Sequence, residues 1–360
     1  MIVFVYGTSA EAIKIAPLAR RMNDLGVTYE QWLTLQHGRA LVQVSKRLGF
    51  KGKIIELPNG NGGEALKSIT SAAKWLMAVM VWFLAQWRTL AKRLNKNSLV
   101  IVHGDTMTTV VGTVFARLLG VSSAHVEAGL RSGDWRNPFP EELDRIVAGM
   151  LATIHYAPTE EAVTNLRRRK NVVFTHGNTV IDSVHDSPDG SKSAAGEYGV
   201  CLLHRFELLS NVELARETIK CIAKNANFPV RLFLDQFSSN TLNQFLTDEV
   251  RKTVYPEFKL PYPDFIDVLR SASFVITDSG GIQAECAQLG IPTLVHRNAT
   301  EQWEGIGENL RLSQLNLDAV EEFMTNFEAM RRKPKPLSIS PTQIIVDDLK
   351  TRGYFSEDAS

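Results

Sequence analysis

Short apolar segments alternate with helical segments along most of this chain, and this alternation restricts the fold more than any other feature. The apolar segment Ile2–Tyr6 ends at Gly7, and helically spaced apolar residues follow from Glu11 to Leu25. The same pairing recurs further along the chain and begins again near Tyr198. A rhythm of this kind predicts an α/β fold, in which helices cover both faces of a parallel sheet.

The polar segment His185–Glu197, rich in Ser, Gly, Asp and Pro, separates two such stretches. A chain of 360 residues is long enough for two domains. We therefore predict two doubly wound domains, at 1–184 and 198–335, that face each other across a cleft. A ligand is expected at the carboxyl ends of the strands.

The individual elements follow from the same periodicities. The predicted strands are Ile2–Tyr6, Tyr29–Leu35, Leu99–His103, Ser122–Val126, His155–Ala157, Val172–Thr175, Tyr198–Leu203, Val230–Leu234, Phe274–Thr277 and Pro292–His296. The predicted helices are Glu11–Leu25, Ala40–Leu48, Glu64–Leu94, Thr108–Leu119, Glu141–Leu151, Glu160–Arg169, Asn211–Ala226, Tyr262–Ser271 and Gly281–Leu289.

Charge and cysteine content limit the classes of partner and the compartment. The chain has 40 basic and 39 acidic residues, which does not support a large basic face for nucleic acid. Three cysteines, Cys201 and Cys286 among them, are too few for a disulfide framework, so we expect free thiols in a reducing cytoplasm. The first residues, MIVFVYG, lack the basic region and the cleavage site of a signal peptide.

An unbroken apolar run, Trp75–Ala85, stands out from this ordinary composition. Eleven helical residues rise roughly 16 Å, about half the thickness of a bilayer core, so the run alone is too short to span a membrane. We favour a helix of the core or of a dimer interface. The alternative is a helix lying on a membrane surface, with Trp75, Trp82 and Trp87 at the level of the headgroups.

Three acidic residues follow predicted strands or begin a predicted helix. Asp105 and Glu127 each come directly after a buried strand, and Glu141 begins a helix after Pro140. Taken alone, Asp105 is more typical of a helix cap, and Glu141 of a first turn stabilised by the helix dipole. Because loops at strand ends converge in this architecture, the three carboxylates are expected to crowd together and raise one another's pKa. Such a group suits proton transfer near neutral pH.

Other strand ends carry groups that suit an anion. Gly7 and Thr8 lie between a strand and a helix whose first N–H groups would be open to a ligand. His204 can relay a proton and Arg205 can bind phosphate. The segment Ser279–Gly281 ends a strand and begins a helix, which predicts a diphosphate cradle of backbone N–H groups, with Glu285 one turn further on for a ribose diol. Glycine turns of this kind are also common without a ligand.

Together, several motifs in a fixed order resemble the non-hydrolysing UDP-N-acetylglucosamine 2-epimerases. They are HGDT at 103–106, HVEAGLRSGD at 125–134, PFPEELDR at 138–145, GNTVIDS at 177–183 and TDSGGIQAE at 277–285. The resemblance implies two Rossmann-like domains of the GT-B type, with a C-terminal helix, about 341–352, that packs back on the first domain. It also implies a nucleotide-sugar substrate, no metal and no cofactor, a homodimer, and a role in polysaccharide biosynthesis.

The reaction that the resemblance implies is inversion at C2 of the sugar, interconverting UDP-GlcNAc and UDP-ManNAc or related UDP-sugars. UDP is eliminated to give a 2-acetamidoglucal and is then added back. The residues that match the family's catalytic positions are Asp105, Glu127, Glu141 and His204. Those that match its substrate-binding and nucleotide-binding positions are Gly7, Thr8, Lys14, Arg145, Arg205, Ser279, Gly280, Gly281 and Glu285.

Three departures from the family pattern remove basic groups from these loops. Ser9, Phe206 and Gln302 stand where the family has arginine. One arginine contact to phosphate contributes ~1.5–3 kcal/mol, so weaker binding of the diphosphate is expected. These departures leave open an alternative, a divergent glycosyltransferase or hydrolase that acts at the anomeric carbon of a nucleotide sugar.

Overall fold

The computed structural model describes residues 1–66, 68–133, 140–186, 197–258, 260–300, 302–336 and 338–356, the side chains of residues 206, 236 and 237 aside. The chain forms two compact units. Unit 1 comprises Met1–Ser183 together with the segment that begins at Ser338, and unit 2 comprises Val184–Leu337. Each unit has its own parallel sheet.

Unit 1 contains a seven-stranded parallel sheet in the order β3-β2-β1-β4-β5-β6-β7. Its strands are β1 Ile2–Tyr6, β2 Tyr29–Leu33, β3 Lys53–Glu56, β4 Leu99–His103, β5 Ser122–Val126, β6 Ile154–Ala157 and β7 Val172–Phe174. Its first helices are α1 Ser9–Asp24, α2 Ala40–Arg47, α3 Ile69–Arg93, α4 Met107–Leu119, α5 Glu141–Leu151 and α6 Glu160–Asn165, and α7 Val180–Asp186 runs into unit 2. The strand order reverses direction between β1 and β4, so this is where a doubly wound sheet opens a crevice.

Unit 2 repeats the plan with six parallel strands in the order β10-β9-β8-β11-β12-β13. The strands are β8 Gly199–Leu202, β9 Val230–Leu234, β10 Val254–Phe258, β11 Phe274–Thr277, β12 Thr293–Val295 and β13 Leu310–Leu312. The helices are α8 Phe206–Leu209, α9 Val212–Asn225, α10 Gln236–Leu242, α11 Tyr262–Ser271, α12 Gly280–Leu289 and α13 Leu317–Asn326. Here the strand order reverses between β8 and β11. The predicted pair of doubly wound α/β domains is therefore confirmed.

A further helix, α14 Pro341–Thr351, belongs to unit 1 although all of unit 2 precedes it in the chain. Its first turn is held by Asp182, whose carboxylate accepts hydrogen bonds from the Ser340 hydroxyl (2.6 Å) and the Thr342 N–H (2.8 Å). The Tyr156 hydroxyl donates to Asp348 (2.8 Å), and the side chain of Ile345, on the inner face of α14, is buried. Unit 1 is thus built from two separate parts of the chain.

The sequence prediction missed three strands, β3, β10 and β13. All three lie at the edges of their sheets, where burial on both faces is not required. β3, for example, is exposed at both ends and only half-buried between them. These three edge strands therefore lack the continuous apolar runs by which β1 and β4 were predicted.

Helix α3 begins later than predicted and has two different faces. Residues 64–66 are not helical, because Ser68 caps the helix in a reciprocal arrangement with Ser71. By length and composition alone, this 25-residue helix could cross a membrane. However, its inner face packs in the core of unit 1: Trp75 is fully buried and donates to the Thr34 carbonyl (2.7 Å), and Phe83 stacks on Phe115. The outer face is apolar and exposed, at Leu76, Met77, Val81 and Leu84.

All three cysteines, Cys201, Cys221 and Cys286, are free, and Cys201 and Cys286 are buried in unit 2. Part of the predicted linker, residues 187–196, lies outside the described residues. The division between the units falls before it, between Ser183 and Val184.

Candidate active site

Most of the predicted site residues lie at the two points where the strand orders reverse. In unit 1, Gly7 follows β1 and Asp105 follows β4, while Glu127 follows the next strand, β5. In unit 2, His204 comes shortly after β8 and Asp278 directly after β11. We call the unit 1 group, Lys14, Asp105, Glu127, Glu141 and Arg145, the acidic site. We call the unit 2 group, His204, Arg205, Asp278 and Ser279–Gly281, the amide site.

The loop after β1 is closed on itself rather than open to an anion. The Glu11 carboxylate accepts hydrogen bonds from the N–H groups of Gly7 (3.0 Å) and Thr8 (2.8 Å), and the Thr8 hydroxyl in turn accepts from the Glu11 N–H. A capping box already uses the N–H groups of Gly7, Thr8 and Glu11, so the expectation of N–H groups open to a ligand is wrong for these three. A glycine is required at position 7 by packing, since a Cβ atom there would lie 2.3 Å from the hydroxyls of Thr34 and Thr108.

Glu127 is the most constrained carboxylate of the acidic site. Its backbone is left-handed, with φ of 65°, and its side chain is buried. The ammonium of Lys14 lies 2.5 Å from its Oε2 atom, the Asn178 amide donates to the same oxygen, and His103 Nε2 lies 3.6 Å away. Burial raises the pKa of Glu127, but the charge of Lys14 and the hydrogen bonds from Lys14 and Asn178 outweigh burial and lower the pKa to about 2. The expected upward shift is thus wrong for Glu127, which stays ionised.

His103 is held neutral beside this pair. Burial lowers its pKa to about 3, and Lys14 acts in the same direction. The ion pair of Lys14 with Glu127 therefore carries no net charge and has a neutral imidazole next to it. Such a pair is costly to break, because either ion alone would remain buried without a partner.

Asp105 does not cap the following helix, which contradicts the simpler of its two interpretations. Thr106 is the N-cap of α4, and its side chain accepts a hydrogen bond from the Thr109 N–H. Asp105 instead pairs with the guanidinium of Arg145, a buried residue of α5. Arg145 also lies 3.5 Å from Glu142. The structure thus brings Asp105 and Arg145 together, and Glu141 begins the helix that carries Arg145.

The amide site is organised around one buried carboxylate, Asp278, which is 1% exposed. Its oxygens accept hydrogen bonds from the backbone N–H groups of His204 (2.9 Å) and Arg205 (2.8 Å), and the His204 ring lies 3.6 Å away. Asp278 therefore fixes the loop after β8 to the loop after β11.

The helix that follows Asp278 begins with two glycines. Within the described chain, the side chain of Ser279 makes no capping hydrogen bond to α12. The first N–H groups of α12 therefore have no side-chain cap, and such a helix start favours an anion. A Cβ atom at Gly281 would meet only the Ser279 hydroxyl, at 3.9 Å, so packing does not require glycine there. Glu285 lies buried in the second turn of the same helix, and its role toward a ribose stays a prediction.

Three residues that contact these sites escaped the sequence prediction as functional positions: His103, Asn178 and Asp278. Asn178 and Asp278 stand inside quoted motifs, yet only their long-range partners reveal what they do. Asp278, for example, accepts a hydrogen bond from the N–H group of His204, which lies 74 residues earlier in the chain. The signal that the sequence offers for Asp278 is an acidic residue directly after a predicted buried strand and two positions before a glycine pair.

The fold and the two sites define a two-domain α/β protein with Rossmann-like sheets, buried carboxylates paired with cations in one unit, and in the other an uncapped helix N-terminus of the kind that suits a phosphate. A family model described as UDP-N-acetylglucosamine 2-epimerase matches residues 68–336. The chain belongs to this family, which confirms the predicted resemblance.

Relatives and solved structures agree with this assignment. A UDP-N-acetylglucosamine 2-epimerase of Bacillus subtilis (strain 168) is 33% identical over 324 residues, which cover 85% of this chain and 80% of the relative. The crystal structure of UDP-GlcNAc 2-epimerase from Neisseria meningitidis bound to UDP-GlcNAc has a TM-score of 0.80 at 25% identity, and the match covers 97% of this chain and 99% of that one. A Staphylococcus aureus MnaA–UDP structure has a TM-score of 0.80 at 27% identity, over 98% and 96% of the two chains.

Proposed function

We propose that this protein is an isomerase that interconverts UDP-GlcNAc and UDP-ManNAc, or a related pair of UDP-sugars, by eliminating UDP and adding it back. The observation that carries the proposal is Glu127, a buried carboxylate kept ionised by Lys14, at the end of the strand next to the reversal point of the unit 1 sheet. Membership of the 2-epimerase family supports the substrate class.

The chemistry of the step fits a carboxylate of low basicity. When the bond between C1 and the diphosphate oxygen breaks, its electron pair leaves with UDP and positive charge develops at C1. The C2 hydrogen then becomes acidic, so a weakly basic carboxylate suffices to remove it as a proton, and the glucal forms. An ionised Glu127 would stabilise that positive charge, with Asp105 and Glu141 as the other carboxylates of the acidic site. Re-addition of UDP to C1 and of a proton to the opposite face of C2 completes the inversion.

The departing diphosphate needs its own stabilisation. The uncapped start of α12 at Ser279–Gly281 offers backbone N–H groups and the positive end of the helix dipole. His204 and Arg205 are proposed to add a proton donor and a cation, on a loop held by Asp278. This arrangement would offset part of the diphosphate-binding free energy that is lost because arginine is missing at positions 9 and 302.

The test is proton NMR of the protein with UDP-GlcNAc in deuterated water. Deuterium at C2 together with a manno-configured nucleotide sugar is the expected result. UDP and a free sugar without C2 exchange would instead support the alternative, transfer or hydrolysis at the anomeric carbon. The Glu127→Gln variant is the control that separates exchange by this site from exchange by a contaminating enzyme.

We also propose a homodimer that forms through the outer face of α3. Leu76, Met77, Val81 and Leu84 place a continuous exposed apolar stripe on that helix, and such stripes are typical of interfaces. Analytical ultracentrifugation should show a dimer that Met77→Lys converts to a monomer, whereas Val212→Lys, at an exposed apolar residue of unit 2, leaves it intact. A monomeric wild type that sediments with anionic vesicles would contradict the dimer and indicate a membrane surface instead.

A cytoplasmic location and a role in polysaccharide biosynthesis complete the proposal. Three free thiols support the cytoplasmic location, because they suit a reducing compartment. The proposed nucleotide-sugar substrate supports the role in polysaccharide biosynthesis. Fractionation of cells that express the tagged protein, and analysis of surface polysaccharide after deletion of its gene, test the two points.

A further inference from the structure

Asp144 is a buried carboxyl group that the proposed reaction does not use. It lies in the first turn of α5, its side chain is 9% exposed, and its Oδ2 atom has no hydrogen-bond partner among the described residues. An ionised carboxylate with one oxygen in such a place has lost water there and gained no donor, which disfavours the charged form.

The charged neighbours of Asp144 disfavour its ionisation further. Glu141 lies three residues earlier on the same helix face, and Asp105 reaches the group from the loop after β4. Arg145, the next residue on α5 and a cation, pairs with Asp105 and Glu142. Burial first, and then Asp105 and Glu141, raise the pKa of Asp144 to about 7.

Glu11 shows what a buried carboxylate of this unit looks like when donors are supplied. It accepts hydrogen bonds from two backbone N–H groups and from the Thr106 hydroxyl (2.7 Å). For Asp144, in contrast, no such donor is found among the described residues. Those residues also contain no group of three His, Cys, Asp or Glu side chains that could hold a metal ion and so neutralise the cluster. Within the part of the chain that the structure describes, a bound proton is the neutralising group that remains.

We propose that Asp144 carries a proton in the resting protein and acts as a positioning residue, withholding a further negative charge from Asp105 and Glu141. The proposal rests on the proposed function of those two carboxylates. If Asp144 lost its proton, the new charge would repel the carboxylates of Asp105 and Glu141.

Thermal unfolding tests the proton without reference to activity. A carboxyl group whose pKa is higher in the folded state than in the unfolded state stabilises the fold fully below the unfolded value, about 3.9, and this stabilisation is lost as the pH rises through about 7. Asp144→Asn removes the titration. The melting temperature of the variant should therefore rise relative to wild type by about 5 °C between pH 5 and pH 8. Asp24→Asn, at an exposed carboxylate of the same unit, is the matched control and should show a constant difference.

The pH dependence of C2 exchange tests the positioning role. Wild type and Asp24→Asn should share a step in kcat near pH 7 that Asp144→Asn lacks. A melting difference for Asp144→Asn that stays constant from pH 5 to pH 8 would overturn the proposal, and so would a step near pH 7 that survives in this variant. If wild type shows no C2 exchange, the proposed function fails while the melting series still decides the state of Asp144. If Asp144→Asn does not fold, Asp144→Ser replaces it in both series.

Discussion

The acidic site of unit 1 carries its charge on side chains, whereas the amide site of unit 2 relies mainly on backbone N–H groups. In unit 1, Lys14 pairs with Glu127, and Arg145 pairs with Asp105 and, more distantly, with Glu142. In unit 2, a single carboxylate, Asp278, holds a loop by its backbone, and the helix start at Ser279–Gly281 supplies further N–H groups. The difference teaches that proton transfer needs side chains whose pKa can be adjusted, while much of an anion site can be built from a fixed backbone.

The largest effect is expected at Glu127. The Glu127→Gln variant keeps the shape and removes the charge, so kcat for C2 exchange should fall by about 10²–10⁴-fold. The affinity for UDP, measured by calorimetry, should change little, because the amide site is untouched. A kcat within a factor of ten of wild type would show that the acidic site does not carry the reaction.

Removing Lys14 tests the role of paired side-chain charges in the acidic site of unit 1. Lys14→Met leaves Glu127 buried without its cation, and breaking a buried pair costs about 3–5 kcal/mol in the free energy of unfolding. The pKa of Glu127 should rise, since the charge of Lys14 is a main reason that it is low. In wild type this stabilisation is complete above the unfolded pKa of about 4.3 and is lost as the pH falls to about 2, and the variant lacks it.

Chemical denaturation at pH 7 measures the loss, and the double variant Lys14→Met/Glu127→Gln is its control. Because the double variant leaves no lone charge, it should be more stable than Lys14→Met alone. If the two are equally stable, the cost lies in lost packing and not in the unpaired carboxylate.

A smaller effect is expected at the centre of the amide site. Asp278→Asn weakens the acceptor for the His204 and Arg205 N–H groups, so the free energy of unfolding should drop by ~1.5–3 kcal/mol and UDP should bind about tenfold more weakly. Ser279→Ala, which removes a side chain without a capping role in the described chain, should leave the stability unchanged. Equal losses in the two variants would argue against Asp278 as the organising group.

The smallest effect on stability, and the clearest separation of binding from folding, is expected at Gly281. Alanine fits there without a clash and is the better helix former, so Gly281→Ala should keep or raise the stability by up to about 1 kcal/mol. UDP affinity should nevertheless fall, because the added methyl group stands where the backbone would approach the diphosphate. Unchanged affinity in calorimetry would mean that the nucleotide is held elsewhere.

The sequence predicts an element of this structure well when the pattern that indicates the element lies within the element itself. Strands β1 and β4 match their predicted bounds, because a central parallel strand is buried on both faces and these two read as nearly continuous apolar runs. The edge strands β3 and β13 lack that run. The start of α3 depended on a Ser68–Ser71 capping box that the apolar periodicity of the helix does not show.

For the site, the positions were predictable and the electrostatics were not. Glu127 was singled out because it follows a strand, but the direction of its pKa depends on Lys14, 113 residues away, and on Asn178, 51 residues away. Asp105 was expected to serve as a cap on local grounds and pairs with Arg145 instead, 40 residues on. Long-range partners decide the protonation state, and a single sequence does not display them.

The two-part construction of unit 1 has a consequence for how the protein is made. On the ribosome, residues 1–183 emerge first, yet the surface that receives Ile345, Val346 and Leu349 stays bare until all of unit 2 has been synthesised. Asp182 likewise waits without the Ser340 and Thr342 donors that it holds in the finished molecule. The usual order, in which the amino-terminal domain is completed first, is therefore reversed here. A nascent chain of this protein gains a complete unit 2 before unit 1 is closed, and that interval is when chaperones would be needed most.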